Sequence, residues 1–167
     1  DFSIAIIPGH TYSKIIGILA DSLGFETIIH MPMEPYNYDS LSEKEYILSE
    51  NLNAKEVELR IDKAFLEIPM AMGMNNHQGS KATANLQLMK NIARSLKKRD
   101  KFFLDSFTNP ESRGFITMRR FGVKTELRQV FLDHIEDSLY IHSQIDSLVQ
   151  LSHIMDVAIG IGHVKPL

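Results

Sequence analysis

The alternation of two kinds of segment along the chain limits its fold more than any other feature of the sequence. Short β-rich runs alternate with longer segments in which apolar residues recur at helical spacing, without a hairpin signal or an internal repeat. The pattern predicts six strands and five helices. Strands separated by helices pair in parallel through right-handed crossovers, so the sequence predicts an α/β protein with a parallel sheet.

The bounds of these elements follow from apolar periodicity and from the Pro and Gly residues at their ends. The predicted strands are Phe2–Ile7, Thr27–Met31, Met70–Met74, Lys101–Leu104, Val130–Leu132 and Val157–Gly162. The predicted helices are Tyr12–Leu23, Lys55–Ile68, Ala84–Arg99, Asn109–Phe121 and Asp137–Ile154. Pro32 and Pro35 are expected to end the second strand, and a polar loop is expected to continue from there to about residue 53.

The length of the chain restricts how the sheet can close. A complete eight-stranded barrel takes about 250 residues, whereas this chain has 167. The predicted sheet is therefore either open or a barrel that lacks an edge. Apolar runs begin just after Asp1 and end just before Lys165-Pro166-Leu167, so we expect one domain, residues 1–167, cut from a larger fold.

The composition excludes several classes of protein and of site. With 44% hydrophobic and 23% charged residues the chain is typical of a globular protein, and no apolar run approaches the length of a membrane span. Its net charge of −3, with acids and bases interspersed, gives no electrostatic footprint for nucleic acid. Cys is absent, which excludes disulfides and thiolate metal ligands.

Polar and ionisable residues follow five successive predicted strands. The polar stretch Gly73–Thr83 is predicted to be a strand-to-helix loop and supplies one of these groups. Because the carboxyl ends of parallel strands share one edge of the sheet, we expect the groups to converge there. The groups are His30 with Glu34, Asn75-Asn76-His77, Asp105, Asp133 and His163.

Imidazole and carboxylate groups without thiolate suit Zn²⁺ or another divalent ion at a catalytic site. Such a site favours hydrolysis of an amide or ester, with a further carboxylate as general base and a further imidazole as general acid. Taken one by one, the histidines are equally well interpreted as core residues and the aspartates as helix caps. A glycan-binding protein without catalysis and a metal phosphoesterase are the alternatives that the residues leave open.

Five motifs in this order resemble the divergent polysaccharide deacetylase family, a distant branch of the chitooligosaccharide and polysaccharide deacetylases. They lie at Ile29–Pro35, Met74–Thr83, Phe102–Ser106, Arg128–Asp133 and Ala158–His163. The resemblance implies a distorted (β/α) barrel of about seven parallel strands, here reduced to about six strands and five helices. It also implies that the first strand, with its Asp-Asp pair, and the C-terminal end of the domain lie outside this chain.

The resemblance also implies roles for individual residues. His30 and His77 resemble metal ligands, and Glu34 stands where better-known deacetylases have a second histidine, as a candidate ligand or a group that supports one. Asp105 and His163 resemble the groups that orient the water and protonate the leaving group. The motif residues assigned to substrate binding are Asn75, Asn76, Ser80, Arg128 and Asp133.

The function that the resemblance implies is metal-dependent removal of N-acetyl or O-acetyl groups from an envelope polysaccharide. The expected cofactor is a divalent ion, with Zn²⁺ the ion of choice, and the expected partner is a polysaccharide or a peptidoglycan-type glycan. The expected location is the periplasm or the cell envelope. The alternative is a noncatalytic envelope protein that binds glycan or a protein partner in the same cleft.

Overall fold

Residues 2–37 and 44–164 are described by the structure of this protein, a computed structural model. The middle of the loop expected after the second strand, residues 38–43, lies outside this range, as do Asp1 and residues 165–167. The chain divides into two units, Asp1–Thr125 and Glu126–Leu167, and each is described by itself.

The described residues form seven strands and six helices. The strands are β1 (Ser3–Ile6), β2 (Glu26–Met33), β3 (Gly73–Gln78), β4 (Phe102–Asp105), β5 (Thr125–Leu127), β6 (Val130–Phe131) and β7 (Gly160–Ile161). The helices are α1 (Ser13–Ser22), α2 (Ala54–Glu67), α3 (Ser80–Ala84), α4 (Leu86–Lys98), α5 (Gly114–Arg120) and α6 (Ser138–Ser152).

The main sheet has five strands in the order β1-β2-β3-β4-β5, and the division between the two units falls inside β5. Strands β1 to β4 pair in parallel, each with the next strand along the chain. In the second unit, β6 and β7 pair in parallel on either side of α6 in the sequence. The predicted α/β fold with a parallel sheet is thereby confirmed.

The core of the first unit lies on one face of the sheet, under α2 and α4. Side chains alternate between the two faces of a strand, so Ile29, Met31 and Met33 of β2 point to the same face. These residues are fully buried, together with Met74, Phe103 and the inward-facing apolar residues of α2 and α4, which are Val57, Ile61, Ala64, Met89, Ile92, Ala93 and Leu96. A capping box between Asn53 and Glu56 fixes where α2 begins. The residues that alternate with the core-facing ones in β2 and β3 point to the face of the sheet opposite the core.

The prediction for the third strand was wrong in position. The polar residues 73–78, expected in a loop, are β3 itself, and Met70–Met72 precede it. Two neighbouring strands bind the backbone of β3, and the side chains of Asn75 and Asn76 form hydrogen bonds inside the protein. This pairing outweighs the low strand propensity of asparagine.

Pro32 does not end the second strand as expected, because β2 continues to Met33. Strand β1 pairs only as far as Ile29, so no strand of the described sheet needs an N–H from Pro32 on that side. The Pro32 carbonyl instead accepts a 2.8 Å hydrogen bond from the Leu48 N–H. A proline is tolerated where its missing donor faces no partner strand.

Two helices also begin at positions that the sequence analysis did not predict. The predicted helix Ala84–Arg99 is α4, which begins at Leu86 because Asn85 caps it by accepting from the Leu88 N–H at 2.9 Å. The short helix α3 lies before it, in the stretch predicted as a loop. The predicted helix start at Asn109 is a turn, in which the Asn109 side chain accepts from the Glu111 N–H at 2.9 Å. Helix α5 begins only at Gly114. Strand β5 was not predicted.

Candidate functional site

Two histidines predicted as metal ligands meet at the carboxyl edge of the sheet. The register pairs His30 of β2 with Asn75 of β3, and Pro32 with His77. His30, Asn75 and His77 therefore point to the same face, opposite the core. Both histidines are half-buried, and their rings meet edge to face with centroids 4.8 Å apart. The predicted convergence of these two residues is confirmed, while their role as metal ligands stays a prediction.

Asn75 connects His30 to the next strand exit. Its side-chain oxygen lies 2.9 Å from His30 Nδ1, and its amide nitrogen donates to Ser106 Oγ at 3.2 Å. The residue is only 1% exposed. Ser106 follows β4 directly, so this chain of hydrogen bonds crosses three adjacent strands. The predicted role of Asn75 in substrate binding stays a prediction.

Asn76 points to the opposite face and fixes the loops that leave the sheet. Its oxygen accepts from the Ser106 N–H at 2.8 Å, and its amide donates to the Gln78 carbonyl at 2.7 Å. The Thr108 hydroxyl donates to the same carbonyl at 3.0 Å. Gln78 has a left-handed backbone with φ 56°. These contacts hold an uncommon conformation beside the histidines. The predicted role of Asn76 in substrate binding stays a prediction.

Asp105 does not point toward the two histidines. Because Asn75 pairs with Leu104, the next residue, Asp105, lies on the core face together with Phe103. Its fully buried carboxylate accepts from the Phe107 N–H at 2.9 Å, the Ser112 hydroxyl at 2.7 Å and the Phe115 N–H at 3.0 Å. The carboxylate thus caps α5 from the end of β4. Its predicted catalytic role stays a prediction.

Glu34 forms an ion pair with Lys81, the second residue of α3. Its carboxylate lies 2.8 Å from Lys81 Nζ and accepts from the Glu50 N–H at 2.9 Å. The same ammonium group lies 2.7 Å from the Glu50 carboxylate. The hydrogen bonds that Lys81 donates to Glu34 and, second, to Glu50 raise the pKa of Lys81, and the hydrogen bond from Lys81 lowers the pKa of Glu50. Ser80, beside this cluster, accepts from the Tyr36 N–H at 3.1 Å.

The second unit contains a separate pair of predicted site residues. Asp133 is buried, and its carboxylate lies 3.1 Å from both the backbone nitrogen and Nδ1 of His163. The His163 ring packs edge to face on the Phe131 ring, with centroids 5.5 Å apart. The Arg128 guanidinium lies 5.2 Å from the centre of the Phe131 ring. The arrangement orients an imidazole by a carboxylate, which is the geometry of a general acid or base. The predicted roles of Asp133, His163 and Arg128 stay predictions.

The ligands available to a metal ion are limited within the part of the chain that the structure describes. No three His, Asp or Glu side chains of residues 2–37 and 44–164 come together as a set that could hold an ion. His30 and His77 are close enough to act as two ligands, and imidazole is a ligand that Zn²⁺ accepts. The described residues therefore supply two of the three or more protein ligands that a Zn²⁺ site has.

A cleft beside β1 contains none of the predicted site residues. It has a volume of about 560 Å³ and is lined by residues that include Gly9, His10, Tyr46 and Glu67. The Glu67 carboxylate accepts from the Tyr46 hydroxyl at 2.6 Å and from the Gly9 N–H at 3.0 Å. Burial raises the pKa of the Tyr46 hydroxyl, and the hydrogen bond to the Glu67 carboxylate is the second largest cause of the shift. Gly9 and His10 follow β1, so the argument that residues after parallel strands share one edge of the sheet applies to them as well.

Comparison with known proteins provides the deciding observation. The model of the divergent polysaccharide deacetylases matches residues 1–167. The chain belongs to that family. The resemblance of the five motifs is thereby confirmed. Among the described residues, no helix combines the length and the apolar character needed to cross a bilayer.

Two curated relatives of this family member are similar along nearly its whole length. The uncharacterized protein YibQ of Escherichia coli K12 is 32% identical over 164 residues, which are 98% of this chain and 51% of YibQ. An uncharacterized protein of Haemophilus influenzae Rd is 33% identical over 166 residues, which are 99% of this chain and 59% of that protein. The chain thus spans between half and three fifths of these relatives.

A solved structure shares the fold of this family member. The uncharacterized protein ATU2773 from Agrobacterium tumefaciens C58 superposes with a TM-score of 0.89 at 20% identity. The match covers 96% of this chain and 65% of that one. At this identity the likeness shows the fold alone.

Proposed function

We propose that this divergent polysaccharide deacetylase is a metal-dependent hydrolase that removes N-acetyl or O-acetyl groups from an envelope polysaccharide. Membership of the family supports a deacetylase-like role and a polysaccharide substrate. The observation that carries the metal-dependent part is the contact of the His30 and His77 rings at 4.8 Å, at the exits of adjacent strands. Two half-buried imidazoles that meet on the face of the sheet opposite the core suit a shared ion better than separate structural roles.

In this proposal the chain's own residues bind and position. His30 and His77 supply two imidazole ligands. When bound, a divalent ion such as Zn²⁺ polarises an acetyl carbonyl and makes water a stronger nucleophile near pH 7. The role that the family motif implies for His163, which Asp133 orients within the second unit, is protonation of the leaving amine or alcohol. Asp105 keeps the exit of β4 in place through its three hydrogen bonds.

The proposal extends to the shape and the location of the whole protein. The strand order β1-β2-β3-β4-β5 follows the sequence order, as it does in a (β/α) barrel, so we propose a distorted barrel of about seven strands. A polysaccharide of the bacterial envelope lies outside the cytoplasm. We therefore propose a periplasmic or cell-envelope location for the enzyme.

The test of this function is acetate release by the full-length protein. Zn²⁺-loaded protein is incubated with acetylated chitooligosaccharides or peptidoglycan, and free acetate is measured. We expect release by the wild type and none by His77→Ala, while His153→Ala, an exposed histidine at the end of α6, keeps the activity of the wild type. No acetate from the loaded wild type on either substrate would contradict the proposal.

A noncatalytic glycan-binding protein is the second candidate, and Glu34 favours it. This residue stands where better-known deacetylases have a histidine, and both of its carboxylate oxygens are occupied by Lys81 and the Glu50 N–H. A tight complex with the same oligosaccharides, without acetate, would select this candidate.

A further inference from the structure

Asn75 occupies a position in which a side-chain amide has no surface to offer a substrate. It is 1% exposed, and the oxygen and the nitrogen of its amide each have a partner inside the protein. The oxygen lies 2.9 Å from His30 Nδ1, and the nitrogen lies 3.2 Å from Ser106 Oγ. A buried amide whose oxygen and nitrogen both form hydrogen bonds inside the protein orients its neighbours and does not contact a ligand.

The direction of the amide determines which nitrogen of His30 carries the proton. An amide oxygen only accepts hydrogen bonds, so His30 Nδ1 must donate. The neutral ring then has its proton on Nδ1 and its lone pair on Nε2. If the amide were turned over, its nitrogen would donate to Nδ1 and the proton would move to Nε2. In the orientation that the structure shows, the amide nitrogen donates to the Ser106 hydroxyl oxygen, so both ends of the amide have a partner.

The backbone makes this geometry hard to change. His30 and Asn75 are direct partners in the parallel ladder of β2 and β3. Asn75 pairs in turn with Leu104, two residues before Ser106. The three side chains thus lie on one face of three adjacent strands, and the distances between them are fixed by the sheet. Strand positions of this kind hold a side chain more accurately than loop positions do.

We propose that Asn75 is a positioning residue that holds the His30 imidazole in the tautomer with the proton on Nδ1. The use of this tautomer rests on the proposed function, because a metal ion would bind the lone pair on Nε2 of His30. The positioning role replaces the substrate-binding role that the sequence motif implied for Asn75. It makes no use of substrate.

The test of the tautomer needs neither metal nor activity. Two-bond ¹⁵N–¹H correlation spectra of the metal-free full-length protein, recorded where imidazole is neutral, show directly which ring nitrogen carries the proton. We expect Nδ1–H for His30 in the wild type and in Asn75→Asp, which keeps an acceptor. We expect a shift to Nε2–H in Asn75→Ala. Nε2–H in the wild type, or an unchanged tautomer in Asn75→Ala, would overturn the inference.

Asn76→Ala is the matched control for these spectra. Asn76 is the next residue of β3, is equally buried at 1% exposure and bonds to the backbone of Ser106, but it points to the other face. A general loosening of the sheet would disturb His30 in both variants. We expect the Nδ1–H signal of His30 to persist in Asn76→Ala, and its loss there would count against a specific role for Asn75.

Zinc titration separates this inference from the proposed function. With ZnCl₂ alone as the probe, Asn75→Ala of the full-length protein should bind about 10- to 100-fold more weakly than the wild type, the usual effect of removing the partner of a ligand histidine. If the wild type binds no zinc while the tautomer still shifts as predicted, the positioning role stands and the proposed function fails. If the wild type binds zinc and Asn75→Ala binds it with the same affinity, the positioning role is overturned.

Discussion

His30 and His77 lie on neighbouring parallel strands, and their rings meet edge to face with centroids 4.8 Å apart. They are separated by 47 positions in the sequence, yet the register leaves them on one face, with His77 two residues beyond the direct partner of His30. Each ring therefore faces the same small volume at the edge of the sheet. The proposed function depends on this relationship more than on any other.

The Asp105 carboxylate is expected to contribute strongly to the stability of the first unit. Asp105→Ala leaves the Phe107 N–H, the Ser112 hydroxyl and the Phe115 N–H without their acceptor. Each donor that loses its partner costs about 1 to 3 kcal/mol, so we expect the loss of all three to lower the free energy of unfolding by at least about 3 kcal/mol. Urea denaturation measures the change.

Asp62→Ala is the control for this variant. Asp62 also accepts hydrogen bonds, from the Arg99 guanidinium, but its side chain is 53% exposed. An exposed pair of this kind contributes less than about 1 kcal/mol. If Asp105→Ala cost no more than Asp62→Ala, the description of Asp105 as the cap of α5 would be wrong.

Gly79 is expected to tolerate no side chain, for two separable reasons. Its backbone is left-handed with φ +87°, and a Cβ would lie 2.8 Å from the Cβ of Met33. Gly24 has a similar φ of +79° but open space around it. Gly24→Ala should therefore cost about 1 kcal/mol of stability from the backbone alone. Gly79→Ala should cost about 1 to 3 kcal/mol more because of the collision.

The comparison of these two variants by thermal or urea denaturation measures the collision directly. Similar losses in Gly79→Ala and Gly24→Ala would show that Met33 moves aside easily. In that case the turn between β3 and α3 would be held less tightly than the structure indicates.

The ion pairs of Lys81 are expected to make stability depend on pH. Lys81 lowers the pKa of Glu50, so this contribution is present above the ordinary glutamate pKa of about 4.3 and is lost as the pH falls through the lower folded value. The pKa of Lys81 itself is raised, chiefly by Glu34, so its contribution is lost only as the pH rises through that raised value. Between these limits the contribution should be constant.

Lys81→Met removes both ion pairs and tests this dependence. We expect the wild type to be more stable than the variant at pH 7, and the difference to shrink at pH 3. Chemical denaturation at the two pH values measures it. A difference that is the same at pH 3 and pH 7 would mean that the carboxylates near Lys81 contribute through contacts other than charge.

The meeting of His30 and His77 could be predicted from the sequence, because it depends only on both residues lying toward the carboxyl ends of parallel strands. The orientation of Asp105 could not, because a shift of one residue in register moves a side chain to the other face of the sheet. The register is fixed by long-range pairing of β3 with β4, which no local pattern reveals.

The secondary structure was predictable where the side chains are apolar and not where they are polar. Strand β2 was predicted from its apolar residues, whereas Asn75, Asn76 and His77 of β3 resemble loop residues and take up strand geometry because neighbouring strands and Ser106 supply their hydrogen bonds. Strand β5 has only three residues, Thr125–Leu127, and such a short run carries no periodicity. The cap of α5 was missed because it comes from Asp105, nine residues before the helix begins.

Zinc binding by the full-length protein and by three variants is the most direct test of the shared site. Isothermal titration of the wild type with ZnCl₂ should give one ion per chain. His30→Ala and His77→Ala should each weaken binding by more than about 100-fold, and the double variant should lose little more than either single one, because the two ligands act as a unit. A wild type that binds no zinc, or either single variant binding one ion with unchanged affinity, would contradict the account.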